Sequence, residues 1–467
     1  MNPLKKLAGQ TAIYGLSSVI GRLLNYLLVP LYTRYFLPEE YAVVVEMYAY
    51  VAFLVVILTY GLETAFFRFS KTFKNVKTVY STALISLIIS SCVFVLLMFI
   101  SSSLIAELLG YGILTKYIKW FSIIVAIDAI SSITFASLRE QERALHFSLL
   151  KLVGISSNII LNLYFIVHKG FGIEYIFIAN LISSIITFLC LVPEMLKSSF
   201  SFDSRLWKNM MIYALPLLIG GLAGITNETI DRVLLKHLLP NQGLATYELG
   251  LYGAFYKISI IMVLFIQTFR FAAEPFFFDQ HKKTDSRQIY ADVMKYFVII
   301  MSVIFLSATI YYDVIIKFLG PNFHDSRGFL VVSILLLANL FLGIYFNLSI
   351  WYKLTEKTIY GAYFAIFGGI ITLILNFILI PKIGFVGSAW ATLACYFSMV
   401  LISFYFSRRH FFIPYQTLRI SVYLSLMLAV YIFVYLTNYN LLFNSFLLLA
   451  FMIFVFAFER KKLTPKL

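Results

Sequence analysis

Charge is what this chain has least of. Only 13% of its 467 residues are Asp, Glu, Lys or Arg, about half of the roughly one quarter found in soluble chains. That shortage excludes a soluble globular protein. Apolar residues make up 61% of the chain and the mean hydropathy is +0.89; with apolar runs of about twenty residues, this places the chain in lipid. No stretch remains for a soluble domain, because the longest polar connection runs only from about Asp279 to Lys295. Acidic residues are scarcer than basic ones, 22 against 37, for a net charge of +15. The basic residues lie in short loops between apolar runs and not along one amphipathic face, so topology explains them better than nucleic acid does. The chain has three cysteines, and Cys92, Cys190 and Cys395 each sit in a separate apolar run without metal-ligand spacing. The six histidines are scattered mainly through loops and span ends, and there is no Gly-rich phosphate loop. Nothing in the sequence points to covalent catalysis, a metal or a cofactor.

What is present is a series of apolar windows. Spans are expected near 9–33, 41–62, 78–100, 117–138, 145–167, 172–194, 208–234, 248–272, 293–312, 328–350, 358–380, 385–406, 416–436 and 440–458. The first carries Arg22 and is too long for a signal-peptide core, so it reads as a retained helix. With about fourteen spans both termini share a side. Placing that side in the cytoplasm puts twenty-three basic residues in inside segments and eight in outside loops. The positive-inside rule therefore sets both termini in the cytoplasm of a multi-pass membrane protein.

The chain also repeats itself. Ile13-Tyr14-Gly15-Leu16-Ser17-Ser18-Val19-Ile20-Gly21-Arg22-Leu23 matches Ile212-Tyr213-Ala214-Leu215-Pro216-Leu217-Leu218-Ile219-Gly220-Gly221-Leu222 at six of eleven positions. Leu37-Pro38 is echoed by Leu239-Pro240, and Leu161-Asn162 with Ile166, Gly170 and Phe171 by Leu375-Asn376 with Ile380, Gly384 and Phe385. An even number of spans per half makes the repeats parallel. The expected fold is all-α: two parallel six-helix lobes, 1–200 and 205–410, around a central cavity, followed by two additional helices and a basic tail in 415–467.

A charge at mid-span costs about 2.5–3.5 kcal/mol on insertion scales, so each one is a functional candidate. In the first span Tyr14, Ser18, Arg22, Asn25 and Tyr26 share one helical face. A guanidinium suits bidentate phosphate recognition; the alternative is an Arg paired with a buried carboxylate. The fifth span carries Lys151, Gly154, Asn158 and Asn162 on one face. Gly154 and Asn162 recur as Gly368 and Asn376, which favours helix packing for that pair. Lys151 has no charged counterpart and either meets an anionic substrate or snorkels. The seventh span has Pro216, Gly220, Gly221 and Gly224 in its first half, where a bend is expected. Asn227, Glu228, Asp231 and Arg232 follow, with Glu228 and Arg232 spaced to pair. Glu46, Asp128, Asn227, Glu228 and Asp231 are the candidates for coupling to H⁺ or Na⁺, with structural ion pairs as the bland reading. Arg22, Asn25, Lys151, Lys257 and Arg270 are the candidates for holding substrate, although Arg270 and Glu274 also have the spacing of an interfacial pair. Arg34, Pro216, Gly220, Gly221 and Arg232 are the candidates for structure and gating.

The segment Pro30-Leu31-Tyr32-Thr33-Arg34-Tyr35-Phe36-Leu37-Pro38-Glu39-Glu40-Tyr41 resembles the signature after the first helix of the Wzx-type polysaccharide flippases, in the multidrug/oligosaccharidyl-lipid/polysaccharide exporter superfamily. Asp231-Arg232 followed by Gly250-Leu251-Tyr252-Gly253-Ala254-Phe255-Tyr256-Lys257-Ile258 resembles another of their segments. Gly384-Phe385-Val386-Gly387-Ser388-Ala389 resembles the start of their twelfth helix. Ala42 departs from the pattern, which has Gly after the Tyr. The resemblance implies alternating access in a bacterial inner membrane, with an undecaprenyl-diphosphate-linked oligosaccharide as substrate. Basic cavity residues would hold the diphosphate, and a polysaccharide polymerase and glycosyltransferases would be the partners. A cation-coupled multidrug exporter shares the architecture and is the alternative.

The distribution of basic residues is directly testable. A cysteine placed at Lys461 should resist a membrane-impermeant thiol reagent in intact cells, whereas cysteines at Lys116 and Asn322 should react. Labelling of Lys461→Cys from the periplasm would contradict the topology.

Overall fold

Without water, a backbone in lipid has to satisfy its own hydrogen bonds, and the described residues accordingly form helices and short connections with no strand. A computed structural model describes residues 20–460 except 22, 25, 111, 113, 114, 281–285, 438 and 439, with backbone only at 272, 275 and 279. Among them, 13 helical stretches are long and apolar enough to cross a membrane. They fall one for one on the second to the fourteenth expected spans. The first expected span lies largely outside the described residues.

In chain order the helices are α1 (Leu28–Tyr35), α2 (Pro38–Thr59), α3 (Leu62–Thr72), α4 (Val76–Ile100), α5 (Ser102–Leu108), α6 (Thr115–Glu140), α7 (Ala144–Asn162), α8 (Glu174–Met195), α9 (Ser204–Leu238) and α10 (Gln242–Gln280). They continue with α11 (Ser286–Ile310), α12 (Gly328–Leu348), α13 (Ile350–Leu354), α14 (Ile359–Ile383), α15 (Phe385–His410), α16 (Thr417–Thr437) and α17 (Leu441–Arg460). A π-helical turn, Leu163–His168, extends α7. Pro38 opens α2, where its missing N–H is no loss, and the Glu40 carboxylate accepts the Leu37 N–H at 2.8 Å. That pair gives the Leu37-Pro38-Glu39-Glu40 segment its role as a helix start.

Two compact units result: Met1–His237 with Asn241–Gly250, and Leu238–Pro240 with Leu251–Leu467. The long helix α9, expected to open the second lobe at 205, packs with the first unit. Its Leu206, Met210 and Ala214 are buried in one apolar cluster with Phe66, Tyr80 and Leu84, and the Trp207 indole N–H donates to Ser86 Oγ at 2.8 Å. α9 runs unbroken through Pro216, although the proline offers no N–H to the carbonyl four residues before it. Gly250 has a steric reason: a Cβ there would lie 1.9 Å from the Pro38 carbonyl oxygen.

In the first unit α6 is central, packed against α2, α4 and α8, while α7 packs on α8. The turn between α6 and α7 is fastened to the end of α8 by Glu194, which accepts from Nη1 and Nη2 of Arg143 at 2.6 and 3.0 Å and from Lys197 at 2.8 Å. In the second unit α15 packs on α12 and α14. Gly384 joins α14 to α15 at φ 60°, ψ −142°, a conformation open to glycine and strained for other residues. The two C-terminal helices pack on α11. Their anchor is Glu459, which accepts from Lys295 at 2.5 Å, from the Tyr423 hydroxyl at 2.5 Å and from Arg419 at 3.3 Å. Lys295 is only 3% exposed, so its charge is tied to α17.

The two matched asparagines can be compared within their own units. Asn162 and Asn376 are both fully buried, and each donates its amide to the carbonyl four residues earlier, at 2.8 Å in both cases. Asn162 also accepts from the Tyr32 hydroxyl at 3.0 Å. A Cβ on Gly154 would meet Thr187 Oγ1 at 2.4 Å, so this glycine lets α7 and α8 approach.

Candidate functional site

The charges and polar stripes picked out from the sequence meet different fates. Arg22 and Asn25 lie outside the described residues. Arg34 is exposed at the end of α1. Glu46 is 1% exposed and bound on several sides: Lys236 reaches both its oxygens at 2.8 and 3.0 Å, and the Tyr50 hydroxyl donates at 2.9 Å. Lys236 also donates to the Leu109 carbonyl at 2.6 Å. A carboxylate so fully compensated is built to hold α2, α5 and α9 together, which weighs against a coupling role. Nothing local to Lys236 in the sequence could have shown that it reaches a glutamate 190 residues away.

Along α9, Asn227 and Asp231 are buried and Glu228 is exposed. The spacing of Glu228 and Arg232 suggested a pair, but the described residues contain no ion pair between them. Glu228 points outward while Asp231 faces inward, where Asp231 Oδ1 accepts the backbone N–H of Arg232 at 2.8 Å. Gly221 leaves room for Val56, 3.2 Å from where its Cβ would stand. In the second unit Lys257 is half-buried on α10. Arg270 lies 4.0 Å over the Phe346 ring and 3.4 Å from Glu274, which also binds Lys353 at 2.5 Å. The ion pair expected at 270 and 274 is therefore present.

Asp128 and Lys151 differ from all of these. They line one open cavity of 290 Å³ inside the first unit. α6 contributes Asp128, Ser131, Ser132 and Phe135; α7 contributes Lys151, Gly154 and Asn158; α8 contributes Asn180, Ser183, Ser184 and Thr187. Both charged side chains are accessible although they lie within membrane-spanning helices. They form no ion pair with each other. Asp128 accepts from Ser184 at 3.1 Å, and the Lys151 ammonium rests 4.0 Å over the Phe135 ring. The stripe at 128, 131 and 132 and that at 151, 154 and 158 are legible in the sequence. The matching stripe on α8, at i, i+3, i+4 and i+7 from Asn180, was readable by the same rule but carries no charge to draw attention to it.

These environments make a testable contrast. Breaking a buried pair leaves one charge uncompensated and costs about 3–5 kcal/mol. Glu46→Gln and Lys236→Gln should each lower the melting temperature of the detergent-purified protein sharply. Asp128→Asn and Lys151→Gln face a cavity and orphan no ion-pair partner, so they should stay within about 0.5 kcal/mol of the unchanged protein. Equal losses in all four would mean that the cavity charges are structural.

The fold has known counterparts. The lipid II flippase MurJ in an inward closed conformation superposes with a TM-score of 0.77 at 17% identity, over 97% of this chain and 99% of that one. A MATE structure in complex with MaD3S gives a TM-score of 0.64 at 14% identity, covering 90% of this chain and 97% of the other. An outward-facing multidrug resistance MATE family transporter of the MOP superfamily gives 0.64 at 14%, covering 90% and 98%. At such identities the likeness is one of fold. No curated protein matches the chain. The model of the family described as "Polysaccharide biosynthesis protein" matches residues 7–281, more than half of the sequence, and the chain belongs to that family.

Proposed function

We propose that this protein flips an undecaprenyl-diphosphate-linked oligosaccharide, a repeat unit of a surface polysaccharide such as O-antigen, from the cytoplasmic to the periplasmic leaflet of a bacterial inner membrane. The observation that carries the reading is the polar cavity at Asp128 and Lys151, set among membrane-spanning helices of a polysaccharide biosynthesis family member. A lipid tail needs no such cavity, but a polar headgroup crossing the bilayer does, because desolvating it in hydrocarbon is prohibitive. The likeness to a lipid II flippase agrees with a lipid-linked substrate. Alternating access of the two repeats moves the headgroup, and the protein itself makes and breaks no covalent bond.

Within this reading Arg22, Asn25, Lys257 and Arg270 are the groups proposed for the diphosphate, and Asp231 and Glu228 those proposed for coupling to H⁺ or Na⁺. A polymerase that elongates the flipped unit, and the glycosyltransferases that build it, are the natural partners. The MATE likeness gives the competing reading, a cation-coupled exporter of multiple drugs.

Arg22 separates the two. Its repeat counterpart is Gly221, so the fold of a half does not require the charge. A guanidinium at that depth is compensated when a phosphate enters, and lysine, a point charge, lacks the fork. Arg22→Ala should abolish surface-polysaccharide export and leave lipid-linked precursor in the inner leaflet, with Arg22→Lys intermediate and protein abundance unchanged. A deletion strain with normal surface glycan and new sensitivity to cationic dyes would overturn the flippase reading.

A further inference from the structure

Several polar groups lining the cavity of the first unit have no hydrogen-bond partner among the described residues, and they are of both kinds. Ser131 is only 5% exposed and its hydroxyl is buried without a partner. Asn158 accepts from Asn162 at 3.1 Å through its carbonyl oxygen, which leaves its NH₂ free. Asn180 does the reverse: its NH₂ donates to the Tyr48 hydroxyl at 2.8 Å and its carbonyl oxygen is left over. Asp128 uses one oxygen on Ser184 and keeps the other. The Lys151 ammonium lies on the cavity wall, over Phe135. The wall carrying these groups is fixed, since Ser183 donates to the Gly154 carbonyl at 2.6 Å and so ties α8 to α7.

We propose that this cavity is a sugar subsite: it takes one pyranose ring of the transported glycan, and not the diphosphate of the lipid carrier. The inference rests on the flippase reading above and names what this part of it recognises. A hydroxyl both donates and accepts, so a ring of hydroxyls can meet the free NH₂ of Asn158, the free oxygens of Asn180 and Asp128, and the Ser131 hydroxyl together. A diphosphate only accepts, and it would meet the Asp128 carboxylate with repulsion. The two charges of the cavity cancel, so it offers a phosphate no net attraction. A Na⁺ at Asp128 would share the cavity with the Lys151 ammonium and be repelled by it. The cavity of 290 Å³ has room for one sugar ring, and its opening leaves the rest of a longer glycan outside it.

The test uses the full-length protein in lipid nanodiscs and the methyl glycosides of glucose, galactose, mannose and N-acetylglucosamine as probes, read by saturation-transfer NMR. At least one glycoside should show transfer, and inorganic pyrophosphate should leave it unchanged. Each of Ser131→Ala and Asn180→Ala removes one hydrogen bond and should weaken binding by about fivefold. Asn158→Asp, which keeps the acceptor for Asn162 and removes the free donor, should do the same without loss of fold. No transfer from any glycoside, displacement by pyrophosphate, or full binding in the well-folded Asn158→Asp protein would overturn the proposal. Surface glycan in a deletion strain is scored in parallel. Glycoside binding with undiminished surface glycan would refute the flippase reading and leave a sugar-binding cavity without a transported glycan; lost surface glycan with no glycoside binding would refute the subsite and leave the flippase reading standing.

Discussion

Inside a bilayer a charged or hydrogen-bonding group either finds a partner within the protein or faces a space that water or a substrate can enter. This constraint sorts almost every polar residue of the chain. Glu46 with Lys236, and Glu459 with Lys295, Arg419 and Tyr423, are closed arrangements that bind helices distant in sequence. Asp128 and Lys151 take the other course. They share a cavity, keep accessible surface and make no ion pair with each other. A protein with no use for that space would be expected to close it, as it does elsewhere.

The same constraint explains how much of the molecule was legible beforehand. Helices in lipid announce themselves as apolar runs of fixed length, so 13 spans could be read one by one. The matched asparagines Asn162 and Asn376 share one local bond, each donating to the carbonyl four residues earlier, while only Asn162 also accepts from Tyr32. Motif glycines were readable as positions and became explicable only with coordinates, as for Gly250 against the Pro38 carbonyl. The division of the chain was harder. α9 begins the second repeat in sequence yet packs with the first unit, because the apolar face at Leu206, Met210 and Ala214 is completed by α3 and α4.

Pairing across long sequence separations was the main thing hidden. The lysine partners of Glu459 and Glu46 lie 164 and 190 residues away, and Glu46 reads as functional until its lysine is found. For the cavity, sequence supplied two of three walls. α6 and α7 each carry a charge on a polar stripe, whereas α8 contributes only Asn, Ser and Thr, which single spans also use for packing. A stripe of that kind becomes a binding surface only when it faces two others.

The central claim is that a lipid-linked glycan is what this protein moves, and reconstitution tests it most directly. Liposomes containing the purified protein and a fluorescent undecaprenyl-diphosphate oligosaccharide are challenged from outside with an impermeant reagent that destroys the exposed label. The account expects the protected inner-leaflet fraction to become accessible at a rate set by the protein, and to remain protected in protein-free liposomes. An inner fraction that stays protected while the same liposomes transport a cationic dye would contradict it.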